Sequence, residues 1–151
     1  MALSPLQERY FPNLRRGNYQ VTSPTADYYN CVAWAIYDDS RWWQPSGRIG
    51  HYWPSGVPMD YTAEALLAAY QSLGFETCDS RSVEEGYEKV AIYATSDGAY
   101  THAARQLTDG RWTSKLGEGQ DIEHDTLEAL EGTSYGTVRF VVRCLVNREE
   151  S

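Results

Sequence analysis

Long apolar runs are missing from this sequence: no stretch approaches the roughly 20 residues that a membrane-crossing helix requires. The first residues, Met1-Ala2-Leu3-Ser4-Pro5, lack the basic region followed by an apolar stretch that marks a secretory signal. A cytoplasmic location is therefore expected, with export as an effector by a signal-peptide-independent route left open. Cysteine is scarce: Cys31, Cys78 and Cys144 are odd in number and far apart, which does not suit a disulfide framework and points to reduced thiols. Histidine is equally scarce. His51, His102 and His124 never fall at metal-ligand spacing with another ligand type, so neither a structural metal site nor a cofactor is expected. Positive charge is also short, with 13 Lys and Arg against 21 Asp and Glu and a net charge of −8. That balance opposes binding to nucleic acid or to an anionic membrane surface.

What is present suits one globular domain. Hydrophobic residues make up 42% of the 151 residues and charged ones 23%, enough to build a core unaided. The 12 Tyr and 5 Trp favour a well-packed interior with an aromatic-walled cleft. Residues 1–22 read as an N-terminal arm packed on the domain, and 23–147 as a single α+β unit. A helix is expected from Cys31 to Tyr37, and Asn30 or Asp27 supplies its cap. Residues 41–58 carry so many Pro, Gly and Trp that they read as an aromatic loop. The next helix is the clearest, with Thr62 as N-cap, Leu66, Tyr70 and Leu73 on one face and Gly74 as stop. Four strands follow, about Lys89–Ala94, His102–Leu107, Arg111–Leu116 and Val138–Val146, with Thr108-Asp109-Gly110 as a hairpin turn. The expected architecture is N-terminal helices packed on one face of an antiparallel sheet of about four strands.

Two residue types in this pattern point to chemistry. A thiol attacks well only as thiolate, and the start of a helix favours that form. Cys31 stands there, whereas Cys144 lies on the apolar face of a strand and Cys78 follows Phe75 without a cap. A thiolate needs a base, and histidine is suited to that at neutral pH. His102, at the start of a strand, can be aimed by a rigid sheet. His51 sits in the aromatic loop and His124 in the polar run Asp121-Ile122-Glu123-His124. An oxyanion hole would form from the Cys31 amide with help from Tyr29 or Asn30, and Trp34 and Trp43 would flank the substrate.

A cysteine at a helix start, then a histidine opening a strand, then a polar residue on the next strand resembles the motif order of the papain-like superfamily, in particular NlpC/P60-type cysteine peptidases. The strings Tyr29-Asn30-Cys31-Val32-Ala33-Trp34-Ala35, Thr101-His102-Ala103-Ala104-Arg105 and Trp112-Thr113-Ser114-Lys115-Leu116-Gly117 also look like an uncharacterised bacterial family, over roughly residues 11–145. The first resemblance implies a papain-like fold and a third catalytic residue at Ser114, a position where that family carries His, Asn or Gln. A two-residue Asp109-Gly110 loop would turn Ser114 away from His102, and a three-residue loop would bring it back to the same face. Asp121 is the alternative orienting residue.

The function expected is a cysteine-dependent hydrolase or acyltransferase acting on an amide or isopeptide bond, with a peptide or other amide-containing substrate. The alternative is a non-catalytic interaction domain that binds a peptide or basic protein. A metal site using Cys31, His102 and Asp121 or His124 ranks third.

Overall fold

The computed structural model describes residues 9–14, 17–23, 30–36, 41–116, 120–132 and 134–146. Strand formation starts earlier than the sequence pattern implies. Tyr19–Ser23 is the first strand, β1. One turn of helix follows at Cys31–Trp34, α1, then two-residue strands β2 at Trp42–Trp43 and β3 at His51–Tyr52. The longer helix α2 spans Ala63–Gln71. Thr62 caps it, its hydroxyl accepting from the Ala65 amide at 3.1 Å, and Gly74 follows its end with φ +101°. Leu66 and Tyr70 are buried, but Leu73 is exposed. The remaining strands are β4 (Glu76–Thr77), β5 (Tyr87–Ala94), β6 (Tyr100–Gln106), β7 (Trp112–Lys115), β8 (Asp121–His124) and β9 (Thr137–Leu145).

Seven of these strands form one antiparallel sheet in the order β1-β8-β7-β6-β5-β9-β4. The expected α+β design of helices on a four-stranded, papain-like sheet is thus corrected: the fold is mostly β. Among the described residues the α-helices α1 and α2 have only four and nine residues. The physical reason lies in the strands that escaped pattern reading. Among the described side chains of β1 only Val21 is deeply buried, and β8 reads Asp-Ile-Glu-His, so neither shows the apolar alternation of a half-buried strand. No described helix is long and apolar enough to cross a membrane.

Both faces of the sheet are covered. On one face α1 and α2 pack with Trp43 and Phe75 against Val90, Ile92, Ala103 and Val142. On the other, Phe11, Leu14, Leu127 and Leu130 cover Ala91, Tyr93, Ala104, Trp112 and Ile122. A bulge opposite Ile92 and Tyr93 interrupts β9, so Val138 joins the second face while Phe140 and Cys144 stay on the first. Strict alternation along β9 would have put all of them together.

Turn chemistry settles a further register. Leu107 donates its amide to the Arg111 carbonyl at 2.7 Å, and Gln106 pairs with Trp112. The loop is therefore three residues, Thr108-Asp109-Gly110, with Gly110 at φ +92°. Ser114 consequently shares a face with His102, Trp112 and Ala104.

Candidate active site around Cys31

Asn30 fixes the place of Cys31. Its side-chain oxygen accepts from the Ala33 amide at 3.2 Å, which closes the first turn of α1. The same oxygen accepts from the Trp43 amide at 3.1 Å, and the Asn30 amide group donates to the Trp43 carbonyl at 2.6 Å. Asn30 is thereby engaged through both its oxygen and its amide nitrogen as a clamp between α1 and β2. Trp43 is buried beneath the clamp with its ring 4.8 Å from that of Tyr52. Tyr29 lies outside the described residues, and Trp34 closes α1. Asn30→Ala should lower unfolding stability by on the order of 2 kcal/mol, read as a lower denaturation midpoint, because a cap and two buried bonds to Trp43 go together.

α1 packs on β6 and β7 where those strands part. Their ladder holds only Arg105–Thr113 and Gln106–Trp112. Beyond it, Ala103 packs with Cys31 in one buried cluster. Burial raises the thiol above its ordinary value, and the backbone amides of Ala103, Val32 and Cys31 together with the charge of Lys115 offset only part of that rise. A single helical turn carries little macrodipole; it is these individual N–H groups that favour the thiolate. Three phenols surround the sulfur closely enough to sense its charge: Tyr70, Tyr100 and Tyr135 are all raised, by burial first and by Cys31 next. Tyr70 donates to the Val32 carbonyl at 2.8 Å. Tyr100 is stacked between Trp53 and Tyr61, at 6.4 and 6.0 Å.

His102 belongs to the residue beside Ala103 but turns to the opposite face. Its ring lies 4.2 Å from that of Tyr135 at an interplanar angle of 6°, and tilts against Tyr93 at 5.4 Å. It is fully buried, and neither ring nitrogen has a hydrogen-bond partner. Burial, and secondarily the nearby His124, hold it well below the ordinary histidine range, so the imidazole is neutral. The structure thus brings Cys31 and His102 to adjacent points of β6 without bonding them to each other.

The two candidates for third residue separate cleanly. Ser114 shares the His102 face, yet its hydroxyl is paired with His124 Nε2 at 2.8 Å. His124 Nδ1 lies 2.8 Å from the Thr126 carbonyl, a pure acceptor, so Nδ1 carries the proton and Ser114 donates to Nε2. Asp121 pairs in register with Lys115, on the Cys31 side of the sheet and away from the His102 ring. Among the described residues, no group of three or more His, Cys, Asp or Glu is arranged to hold a metal ion.

A family model described as a domain of unknown function, DUF7689, matches residues 20–143. The chain belongs to that family. No curated protein and no solved structure matches it. Within this DUF7689 domain, sequence reasoning passed over Lys115, Tyr100 and Tyr135. Lys115 sits in the wholly buried strand Trp112–Lys115, and nothing in the string Trp-Thr-Ser-Lys distinguishes a buried lysine from a solvated one.

Proposed function

We propose that this domain is a cysteine-dependent hydrolase or acyltransferase acting on an amide or isopeptide bond, with Cys31 as nucleophile and His102 as its base. One observation carries the reading: a buried thiol at the start of α1 packs with Ala103 of β6, and the neighbouring residue of that strand carries, on the other face, a buried imidazole whose two nitrogens have no partner. An unsatisfied buried polar group costs about 1–3 kcal/mol and calls for an explanation. Here the explanation is a proton acceptor held in reserve. The motif order shared with NlpC/P60-type peptidases supports the same assignment.

This mechanism requires β6 to twist at His102, where it has parted from β7, so that the ring leaves its stack on Tyr135 and reaches the Cys31 proton from the other face. The sulfur forms a bond to the substrate carbonyl carbon, whose π pair moves to oxygen and is received by backbone N–H groups at the start of α1. Collapse of that intermediate breaks the C–N bond, and the amine leaves with the proton from the imidazolium. Water or a second amine then releases the acyl group from sulfur. His102 is neutral, as an acceptor must be, but burial keeps it a weak base, so the ring has to leave its buried stack before it takes the proton.

The interaction-domain reading is favoured by a different fact, namely that thiol and imidazole are not bonded in this conformation. Alkylation of the folded protein with iodoacetamide near neutral pH, followed by peptide mapping, separates the two. Cys31 is buried while Cys78 and Cys144 are partly exposed, so packing alone predicts that Cys31 reacts last. A poised thiol predicts that Cys31 reacts at least about tenfold faster than the other two, and that His102→Ala slows it selectively. Labelling of Cys31 only after denaturation would leave the interaction domain as the correct reading.

A further inference from the structure

Lys115 is a lysine with no exposed surface in a sheet whose other wholly buried positions are mostly apolar. It stands at the end of β7, past the last pair of the β6–β7 ladder. Continuing that register sets Lys115 across from Ala103, which packs with Cys31 in one buried cluster. Ser114 and Ile122 point to the His102 face, so their neighbours Lys115 and Asp121 point to the face where α1 packs. The start of α1, the parted strands and the lysine thus converge on one place.

We propose that Lys115 is a positioning residue for the thiol: its ammonium group, fixed across the gap between β6 and β7, holds Cys31 as thiolate once the proton has moved to His102. This rests on the reading of Cys31 as nucleophile and adds the cation that reading lacked. The charge that Lys115 balances passes from sulfur to the carbonyl oxygen during attack and back again. A buried cation beside a thiol favours the charged form. The other ionisable groups near the pair are Asp121 on β8, Arg105 on β6, and the phenols of Tyr70, Tyr100 and Tyr135. Asp121 opposes the effect on sulfur and Arg105 adds to it, so both must be kept unchanged while Lys115 is varied.

The test is a titration that does not require Cys31 to react. With 13Cβ-labelled cysteine, the Cys31 chemical shift followed against pH gives the midpoint of thiol ionisation. Lys115→Met should raise that midpoint by about one pH unit or more, while Lys115→Arg should leave it near the wild-type value. Linkage is reciprocal. Cys31→Ser, a mild change, should therefore lower the midpoint of Lys115 itself, followed through its 13Cε resonance, by a comparable amount. An unchanged Cys31 midpoint in a natively folded Lys115→Met protein would overturn the proposal. If that variant does not fold, an unchanged Lys115 midpoint in Cys31→Ser overturns it instead. Failure of Cys31 to react with iodoacetamide, with both midpoints moving, would remove the enzyme reading and leave the ion pair standing.

Discussion

Gly136→Ala should unfold the domain at markedly lower denaturant, with a loss on the order of 3 kcal/mol or more. Gly136 adopts φ +73°, and a methyl group there would press into the Ala94 carbonyl, 2.8 Å from its carbon and 3.2 Å from Thr95 Cα. All of those atoms are backbone, so relief requires β5 and the turn into β9 to move apart. Gly136 also exchanges two backbone hydrogen bonds with Gly132, at 2.8 and 3.0 Å. The same movement would carry Tyr135 away from His102, since Thr101 Oγ1 donates to the Tyr135 carbonyl and ties this turn to β6. Gly56→Ala is the control. Gly56 has φ +81° but open space around it, and only the conformational cost of about 1 kcal/mol applies. Equal losses in the two variants would show that the close approach to Ala94 is not limiting.

Acid should be the second large perturbation, acting through two buried imidazoles. His124 is held down to about 4, by burial first, with its Thr126 hydrogen bond and Asp125 pulling upward and Arg111 adding to the depression. His102 is depressed further by burial. For both groups the unfolded chain binds protons that the native state refuses, so their stability contribution is complete above about pH 6.5 and is lost as the pH falls. For His124 the loss extends down to about 4. Between about pH 7 and pH 5, His124 alone should cost roughly 2 kcal/mol, and His102 adds to it. Glu84 is lowered by its bond to Lys89, so its own contribution is lost only at more acid pH. The measurement is a set of denaturation curves across that range for wild type and His124→Asn. The variant should start lower, having a poorer partner for Ser114, and should show a visibly flatter dependence on pH. Parallel curves would mean that His124 is protonated in the native state.

The sequence pattern located some of these features and not others, for identifiable reasons. Thr62, Leu66, Tyr70 and Gly74 announced α2 because a cap, a periodic face and a stop agree. Asn30 announced the start of α1, but the helix ends after one turn at Trp34 rather than at Tyr37. The carboxylate of Glu84 is taken by Lys89 Nζ at 2.7 Å and by Arg143, contacts that join residues from β5 and β9 and leave no local signature. Trp42 and His51 lie in a segment read as irregular, yet they pair in a short parallel ladder. The candidate thiol and imidazole were both named from sequence. Their placement on two sides of β6 depends on which face each strand presents, and that is fixed by strands whose own pattern is too polar to read.

The strand closing one edge of the sheet has a consequence in time. β1 pairs Val21 with Ile122 in β8, about a hundred residues apart along the chain. Such distant pairing carries a large loop-closure cost that no local contact offsets, which slows folding. A growing chain emerging from the ribosome cannot complete this edge until β8 has been made. Until then Phe11, Leu14 and Val21, which later cover Trp112 and Ile122, have no surface to bury against. Refolding should accordingly be slow for a chain of this size, and the apolar N-terminal segment is the part that a chaperone would find exposed longest.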